Sequence, residues 1–316
     1  MADLAARGYR GVQHTFSEND FAYYRETMAA IVEASHAEGL FVQASPWGVG
    51  RTFGGEAESR FVAFHSEECQ VLDDGRRVAA ACLSSDAYRG FCKEWADWVL
   101  ECGVDCIFWD EPAWVVPQQV GVDDRSRWTC RCENCAERFG APIPSELTLD
   151  VQAFREGVVV DFLREMLAHV AARGGASAIC LLPATEGTQA LSTWDEFASL
   201  PGLTTLVTDP YWKLWDKPAG PFVRRFARLL RDISTRHGVG AQLWVPSFGL
   251  TRDDIPDLET AIAAAHEEGI DDLWTWGYEA CGHMTSLATT DATLVWEAVS
   301  AALTRRTQRP PEAARR

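Results

Sequence analysis

Two adjacent carboxylates follow a short apolar run near the middle of the chain. Residues 106–114 read CIFWDEPAW, in which four apolar residues precede Asp110 and Glu111, and a proline follows. The apolar run predicts a buried strand that the proline ends. Glycoside hydrolysis uses two carboxyl groups, one as proton donor to the leaving oxygen and one as nucleophile or base. Asp110 and Glu111 are candidates for this chemistry, although Asp110 could equally cap a helix or form a salt bridge.

A cluster of cysteines is the second chemical motif. Cys130, Cys132 and Cys135 form a C-x-C-x-x-C pattern, short enough to bring three thiolates to one metal ion. Tetrahedral zinc takes a fourth ligand, for which Cys82 is the first candidate and Cys69 the second. A site with four cysteines has no open position, so the zinc would be structural.

Aromatic and polar side chains recur at the ends of the other predicted strands. The candidate substrate-binding residues are His14, Trp47, Trp109, Glu186, Tyr211, Trp212, Trp244, Trp276 and Tyr278. Sugar rings stack on aromatic faces, while their hydroxyls need charged or amide partners. Any single tryptophan is as readily a core residue, but seven of the 13 fall at or next to predicted strand ends. The set predicts a carbohydrate-binding cleft.

Strands and helices that alternate along the chain must position these residues. The predicted strands are residues 11–15, 40–46, 105–109, 178–182, 204–208, 242–245 and 272–276. Apolar residues at three-to-four-residue steps predict helices at 20–38, 85–102, 151–172, 192–199, 222–237, 255–268 and 292–305. Four helices end at a glycine in the C-cap position, namely Gly39, Gly103, Gly238 and Gly269. This alternation requires parallel strands, so the predicted fold class is α/β.

Seven strand–helix units can be counted, whereas a closed (β/α) barrel needs eight. The opening residues, MADLAARGYRG, look like the end of a helix running into a strand. We therefore predict a (β/α)8 TIM-barrel type of fold that lacks, or has truncated, its first βα unit. A doubly wound sheet is the alternative, but the glycine-rich segment GVGRTFGGE at 48–56 does not open an apolar helix as a nucleotide-binding loop would. In a barrel, the strand ends that carry the candidate residues meet at one mouth.

Composition limits the class of protein and its partners. The 316 residues are 47% hydrophobic and 24% charged, without a linker-like segment, which predicts one barrel domain over 1–306 and a disordered tail at 307–316. A net charge of −17 disfavours nucleic-acid and anionic-membrane partners. No apolar run approaches the roughly 20 residues that span a bilayer. With no signal-peptide pattern at the N-terminus, we expect a cytoplasmic protein with reduced thiols.

A resemblance joins the two chemical motifs. The segment ACLSSDAYRGF at 81–91 is followed by a helix, a strand ending in Asp-Glu-Pro, and CRCENCAERF. This arrangement resembles the family 42 β-galactosidases and related barrel glycoside hydrolases of the same clan. The resemblance covers less than a fifth of the chain. It implies structural zinc on Cys82, Cys130, Cys132 and Cys135. It also implies that Glu111 is the general acid/base, with Asp110 in place of the clan's asparagine.

The sequence departs from the clan at the nucleophile. The clan has a glutamate at the end of the seventh strand, but here that strand reads QLWVPSFGL. The galactosidase specificity is therefore not transferred, and the second catalytic carboxylate is sought first at Asp209, then at Glu279, with Glu186 third. We expect a glycoside hydrolase-like enzyme with a structural zinc that cleaves a small glycoside or an oligosaccharide by carboxylate acid/base chemistry.

Two other functions stay open at this point. The missing glutamate favours a non-catalytic carbohydrate-binding barrel. A zinc-dependent hydrolase would instead use Asp110, Glu111 and a histidine such as His14 or His65 as metal ligands. A homo-oligomer, in which a second copy fills the place of the first strand, is a further expectation about partners.

Overall fold

The computed structural model describes residues 1–124, 126–184, 194–283 and 287–304. Its strands are β1 (Gly11–Thr15), β2 (Phe41–Ser45), β3 (Cys69–Val71), β4 (Arg77–Ala81), β5 (Cys106–Asp110), β6 (Ala176–Leu181), β7 (Leu203–Thr208), β8 (Gly240–Pro246) and β9 (Asp272–Trp276). Its helices are α1 (Ala2–Arg7), α2 (Glu18–Tyr23), α3 (Arg25–Ala37), α4 (Arg60–Phe64), α5 (Asp86–Glu101), α6 (Glu133–Phe139), α7 (Leu149–Ala172), α8 (Trp194–Ala198), α9 (Ala219–His237), α10 (Ile255–Glu267) and α11 (Ala292–Thr304). Within these ranges, no helix combines the length and the apolar character that crossing a membrane requires.

The chain forms two compact units. The first unit comprises Gly11–Ala37 and Phe41–Thr204, and the second comprises Met1–Arg10, Glu38–Leu40 and Thr205–Arg316. The single domain over 1–306 stays a prediction. The tail at 307–316 lies outside the described residues.

Seven of the strands are parallel, and within each unit their order in the sheet follows their order in the chain. In the first unit β1 pairs with β2, β2 with β5 and β5 with β6; in the second unit β7 pairs with β8 and β8 with β9. This order is that of a barrel wound in one direction, because a doubly wound sheet reverses direction at a switch point. The α/β class and the count of seven strands are confirmed.

Several local elements differ from the sequence-based expectation, among them α4, which was not predicted. The helix predicted at 20–38 is divided into α2 and α3, because a capping box between Ser17 and Asp20 starts a helix at Glu18 and Tyr24 then leaves helical geometry. The antiparallel hairpin β3–β4 and the short helix α6 were not predicted. Both lie beside the cysteine motif, where short segments carry too little periodicity to be recognised.

Side-chain alternation along β5 decides which residues face the helices. The ring of Trp109 lies 6.1 Å from that of Trp95 on α5, so Trp109 faces the helix layer. Because successive side chains of a strand point to opposite faces, Phe108 and Asp110 face away from α5. The strand thus presents Asp110, at its carboxyl end, on the face opposite its covering helix.

Gly238 tests the C-cap prediction. It ends α9 with φ 70° and ψ 28°, and a Cβ added there would meet nothing within 4 Å. Gly238→Ala should lower the free energy of unfolding by about 1 kcal/mol, because only the left-handed backbone penalises the methyl group. Gly90→Ala is the matched control: Gly90 lies inside α5 with equally open space, and its replacement should be neutral or stabilising. Urea unfolding measures both, and equal effects would contradict this account.

Candidate functional site

The chain turns sharply at the end of β5. Asp110 is the last residue of the strand, and Glu111 follows with φ 45°, in the left-handed region that non-glycine residues rarely adopt. Both residues are half-buried. A left-handed residue costs roughly 1–2 kcal/mol, and strained residues of this kind concentrate at functional sites. The turn therefore marks this strand end as a candidate site.

The loop after β2 lies against this strand end. The N–H of Gly54 donates to the carbonyl oxygen of Asp110 over 3.0 Å, and the N–H of Ala113 donates to the carbonyl of Thr52 over 3.1 Å. A Cβ on Gly54 would lie 2.6 Å from Oδ2 of Asp110, so the close approach requires glycine. The glycine-rich segment at 48–56 was considered in the sequence only as a nucleotide loop, and one of its glycines, Gly54, instead lets the loop approach the carboxyl group.

Enclosure changes the ionisation of Asp110. Burial raises the pKa of this carboxyl group well above its ordinary value of 3.8, and the neighbouring Glu111 adds a smaller electrostatic contribution in the same direction. A protonated carboxyl group can donate a hydrogen bond, as an amide does. Asp110 can therefore supply the donor that the clan's asparagine would provide.

Four buried thiols form the second part of the site. The Sγ atom of Cys82 lies 3.4 Å from that of Cys135, 3.4 Å from that of Cys132 and 3.8 Å from that of Cys130. All four ligand atoms lie within 4.8 Å of one another. Tetrahedral zinc with bonds of about 2.3 Å places its sulfur ligands about 3.8 Å apart. The residues therefore fit a four-coordinate metal ion.

Local structure fixes the thiols in place. Cys82 follows β4, while Cys132 precedes α6 and Cys135 lies in its first turn. Backbone N–H groups point at two of the sulfurs: that of Ser84 lies 3.3 Å from Sγ of Cys82, and that of Val71 lies 3.4 Å from Sγ of Cys130. Donors aimed at sulfur favour thiolates, which are the form that binds metal.

The thiols also compete for protons. Contacts with the other three thiols lower the pKa of Cys132 and raise that of Cys82. The pKa of Cys135 is raised by Cys130 and Cys132, and the contact with Cys82 opposes this rise. Without a cation, ionising one sulfur therefore opposes ionising its neighbours. A divalent ion would remove this opposition and allow a four-thiolate site.

Buried polar residues connect the cysteines to the carboxylate turn. Oε1 of Gln70 accepts from the Thr129 hydroxyl at 2.5 Å and from the Val115 N–H at 3.2 Å. Nε of Arg155 donates to the Thr129 carbonyl, and Nε1 of Trp114 donates to the Arg155 carbonyl at 3.1 Å. Thr129, which precedes Cys130, is thus connected by hydrogen bonds to Trp114 and Val115, which follow Glu111 by three and four residues. Neither Gln70 nor Arg155 carries a sequence signal of this role.

Three of the predicted binding residues in the first unit have defined surroundings. Nε2 of His14 hydrogen-bonds the Ser35 hydroxyl on α3 at 2.9 Å, and burial lowers the pKa of His14 to about 4. Trp109 is fully buried and donates to the Ser177 hydroxyl at 3.3 Å, so it offers no ring face to a ligand. Trp47 is half-buried in the loop after β2. Glu186 lies outside the described residues.

In the second unit, part of the predicted aromatic set meets around Phe248. The ring of Tyr211 lies 5.2 Å from that of Phe248, and the ring of Trp276 lies 5.0 Å from it on an edge-to-face contact. Trp212 is buried, and Trp244 is buried in a stack with Trp274 whose ring centroids are 5.4 Å apart. Tyr211 and Trp276 are therefore brought together, while Trp212 and Trp244 contribute mainly to the core.

The two candidate second carboxylates differ in surroundings. Asp209 follows β7 and is 7% exposed. Glu279 is partly exposed, has φ 49°, and accepts from Nε2 of His283 at 2.6 Å. Tyr278 is exposed, and its ring packs edge-on against Trp296. An acid enclosed by protein and an acid paired with histidine can both act as base or nucleophile.

A catalytic zinc site was the third expectation. In the described part of the chain, the four cysteines are the one group of three or more histidine, cysteine or acidic residues whose ligand atoms converge. Within these residues, neither His14 nor His65 forms a metal-binding group with Asp110 and Glu111. Nδ1 of His65 instead lies 3.6 Å from a carboxylate oxygen of Glu67. Within the described residues, the four cysteines are therefore the candidate metal site.

The similarities of this chain to known proteins are confined to structure. No protein-family model and no curated protein matches the sequence. A beta-galactosidase from Bacillus circulans sp. alkalophilus has a TM-score of 0.62 and 12% identity, covering 95% of this chain and 56% of that one. A GH5_18 protein from Streptomyces cattleya in complex with GlcNAc has a TM-score of 0.58 and 14% identity, covering 98% and 74%. A D-allulose 3-epimerase from Methylomonas sp. has a TM-score of 0.51 and 10% identity, covering 96% and 88%.

These identities establish the fold alone. The chain has an α/β fold of the (β/α)-barrel type, and it spans just over half the length of the β-galactosidase that it resembles. The function must be argued from the site.

The ionisation of Asp110 leads to a test by stability. Because its pKa is raised, the folded state keeps a proton that the unfolded state loses above pH 3.8. The free energy of unfolding therefore falls as the pH rises from the unfolded-state pKa to the folded-state pKa, by about 1.4 kcal/mol for each pH unit in that window. Asp110→Asn should remove this loss, so the variant gains stability over the parent between pH 4 and 9 in urea unfolding. The exposed Asp123→Asn is the control, and parallel curves for Asp110→Asn and the parent would refute the assignment.

Proposed function

We propose that this protein is a carbohydrate-active enzyme of the glycoside hydrolase type, with Glu111 as its proton donor. The observation that carries the proposal is the Asp110–Glu111 pair at the carboxyl end of a buried parallel strand, with Glu111 in a strained conformation and Gly54 against Asp110. Carboxyl ends of parallel strands are where barrel enzymes hold their catalytic groups. A β-galactosidase and a GlcNAc-bound GH5_18 protein among the similar structures support the substrate class.

In this reaction Glu111 protonates the glycosidic oxygen as the bond to the leaving group breaks. Asp110, held in its neutral form, donates a hydrogen bond to a sugar hydroxyl. The second carboxylate is proposed from the sequence to be Asp209 or Glu279, acting as nucleophile or as base for water. A separation of about 5 Å between this carboxylate and Glu111 would make it the nucleophile of a retaining enzyme. A separation of roughly 6.5–9.5 Å would make it the base of an inverting enzyme.

The cysteine cluster is proposed to hold zinc as a structural ion. Cys82, Cys130, Cys132 and Cys135 would be its ligands, and the support is the convergence of four buried sulfurs. A closed four-thiolate site activates no water, so the contribution of the ion is to stabilise this region. Through Gln70 and Arg155, that stabilisation extends to the residues that follow Glu111.

A non-catalytic carbohydrate-binding protein is the second candidate function. The observation that favours it is the end of β8, where Pro246, Ser247 and Phe248 stand in place of the clan's nucleophile. Such a protein would bind oligosaccharides in calorimetry and release no sugar from a panel of aryl glycosides.

Replacing Glu111 tests the catalytic assignment. Glu111→Gln removes the transferable proton and should lower the turnover of aryl glycosides by about 100-fold or more, while sugar binding stays measurable by calorimetry. Glu101→Gln, at the exposed end of α5, is the control and should keep the parent's turnover. Unchanged turnover in Glu111→Gln would rule out Glu111 as the proton donor.

Metal analysis tests the zinc assignment. Purified protein should contain about one zinc ion per chain, and Cys82→Ser should lose both the ion and thermal stability, because one of four bonds is removed. Cys102→Ser, which alters a half-exposed cysteine outside the cluster, should retain the ion. A Cys82→Ser variant that keeps its zinc and its melting temperature would contradict the assignment.

A further inference from the structure

An exposed group of aromatic side chains lies on and next to the helices α2 and α4 of the first unit. Tyr23, Tyr24 and Phe64 are 63%, 54% and 70% exposed, although most large aromatic residues of this chain are buried. Together with Arg60 they form what is here called the aromatic surface. Exposed apolar patches of this kind usually mark binding sites, because exposing them to water is unfavourable.

Arg60 holds the rings in fixed positions. Its guanidinium carbon lies 4.9 Å from the centroid of the Tyr23 ring and 5.4 Å from that of the Phe64 ring. Nη1 of Arg60 also donates to the Tyr23 hydroxyl at 2.5 Å, and the Tyr24 ring lies 6.5 Å from that of Tyr23. Cation–π contacts and a charged hydrogen bond thus orient the Tyr23 and Phe64 rings before any ligand binds.

A buried carboxylate anchors the two helices that carry these residues. Glu18, the first residue of α2, is 2% exposed. Its Oε1 accepts from the Gly50 N–H at 2.8 Å and from the Ser59 hydroxyl at 2.6 Å, and its Oε2 accepts from the Phe61 N–H at 2.6 Å. Glu18 therefore fixes α2 to α4 and to the loop between β2 and α4.

The same loop connects the aromatic surface with the carboxylate turn. Gly54 contacts Asp110, and Arg60 follows six residues later in the chain. Six extended residues span at most roughly 20 Å, so the aromatic surface lies within the reach of a short oligosaccharide from Asp110. The loop after β2, which Glu18 anchors, therefore connects the aromatic surface to the carboxylate turn.

We propose that the aromatic surface binds sugar rings of an oligosaccharide whose scissile bond lies at Glu111. Pyranose rings stack on tyrosine and phenylalanine faces, and the Arg60 N–H groups that do not face Tyr23 can donate to sugar hydroxyls. The three exposed rings offer roughly 350 Å², well below the about 800 Å² that each partner contributes to a stable protein interface, which favours a sugar over a second copy of the chain. This inference rests on the proposed function and refines its substrate class to an oligosaccharide of several units.

The test compares chain lengths of defined sugars. Calorimetry would use cello-oligosaccharides and β-1,4-galacto-oligosaccharides of one to six units, in the Glu111→Gln background to prevent hydrolysis. One of the two series should bind more tightly as the chain lengthens, and Tyr23→Ala/Phe64→Ala should reduce the ratio of six-unit to one-unit affinity by about tenfold. Tyr23→Phe, which keeps the ring, should preserve most of the ratio. Phe41→Ala, an exposed aromatic at the opposite end of β2, is the control and should leave the ratio unchanged.

The outcomes separate this proposal from the proposed function. An unchanged ratio in the double variant, or no dependence on chain length in either series, overturns the proposal while the effect of Glu111→Gln on turnover still decides the function. Self-association in sedimentation that the double variant abolishes, with unaltered sugar affinity, would assign the surface to a second copy and overturn it as well. Full turnover in Glu111→Gln refutes the proposed function instead.

Discussion

The enclosure of one carboxyl group, that of Asp110, constrains the structure around it. An ionised carboxylate loses much of its hydration when protein surrounds it, so the group must find a cation or keep its proton. The surroundings of Asp110 favour the second course, because Gly54 lies against a carboxyl oxygen, burial raises the pKa, and the charge of Glu111 raises it further. The alternation of side chains along β5 places Asp110 on the face opposite α5. The left-handed conformation of Glu111 turns the chain out of the strand directly after Asp110.

The loop after β2 and buried polar residues next to the cysteine cluster hold this strand end in place. The loop after β2 bonds to the chain on both sides of Glu111, and its own position depends on Glu18. Gln70 and Arg155 connect Trp114 and Val115, which follow the turn, to Thr129, which precedes Cys130. Strain at a single residue persists only where its surroundings determine it, and these contacts supply that determination.

Much of the fold and part of the site follow from local sequence. The strand at residues 106–110 is evident from four consecutive apolar residues, and the cysteine spacing indicates a shared metal ion because thiols two and three residues apart can converge without tertiary help. By contrast, tryptophans at strand ends gave an ambiguous signal. Trp109 and Trp244 are core residues, whereas Trp47 and Trp276 are half-buried, because neighbouring helices and loops decide burial at a strand end.

The sequence by itself determined the α/β class, the seven parallel strands, the C-x-C-x-x-C cluster and the carboxylate pair at a strand end. These rest on periodicity and on spacing, which are properties of neighbouring residues. Only the tertiary structure decided that the glycine-rich loop closes on Asp110, that Glu18 is buried between two helices, and that Tyr23 and Phe64 flank Arg60. Each of these features includes residues that are dozens of positions apart in the chain. The loss of hydration and the ring stacking on which they depend arise only when folding has brought those residues into contact.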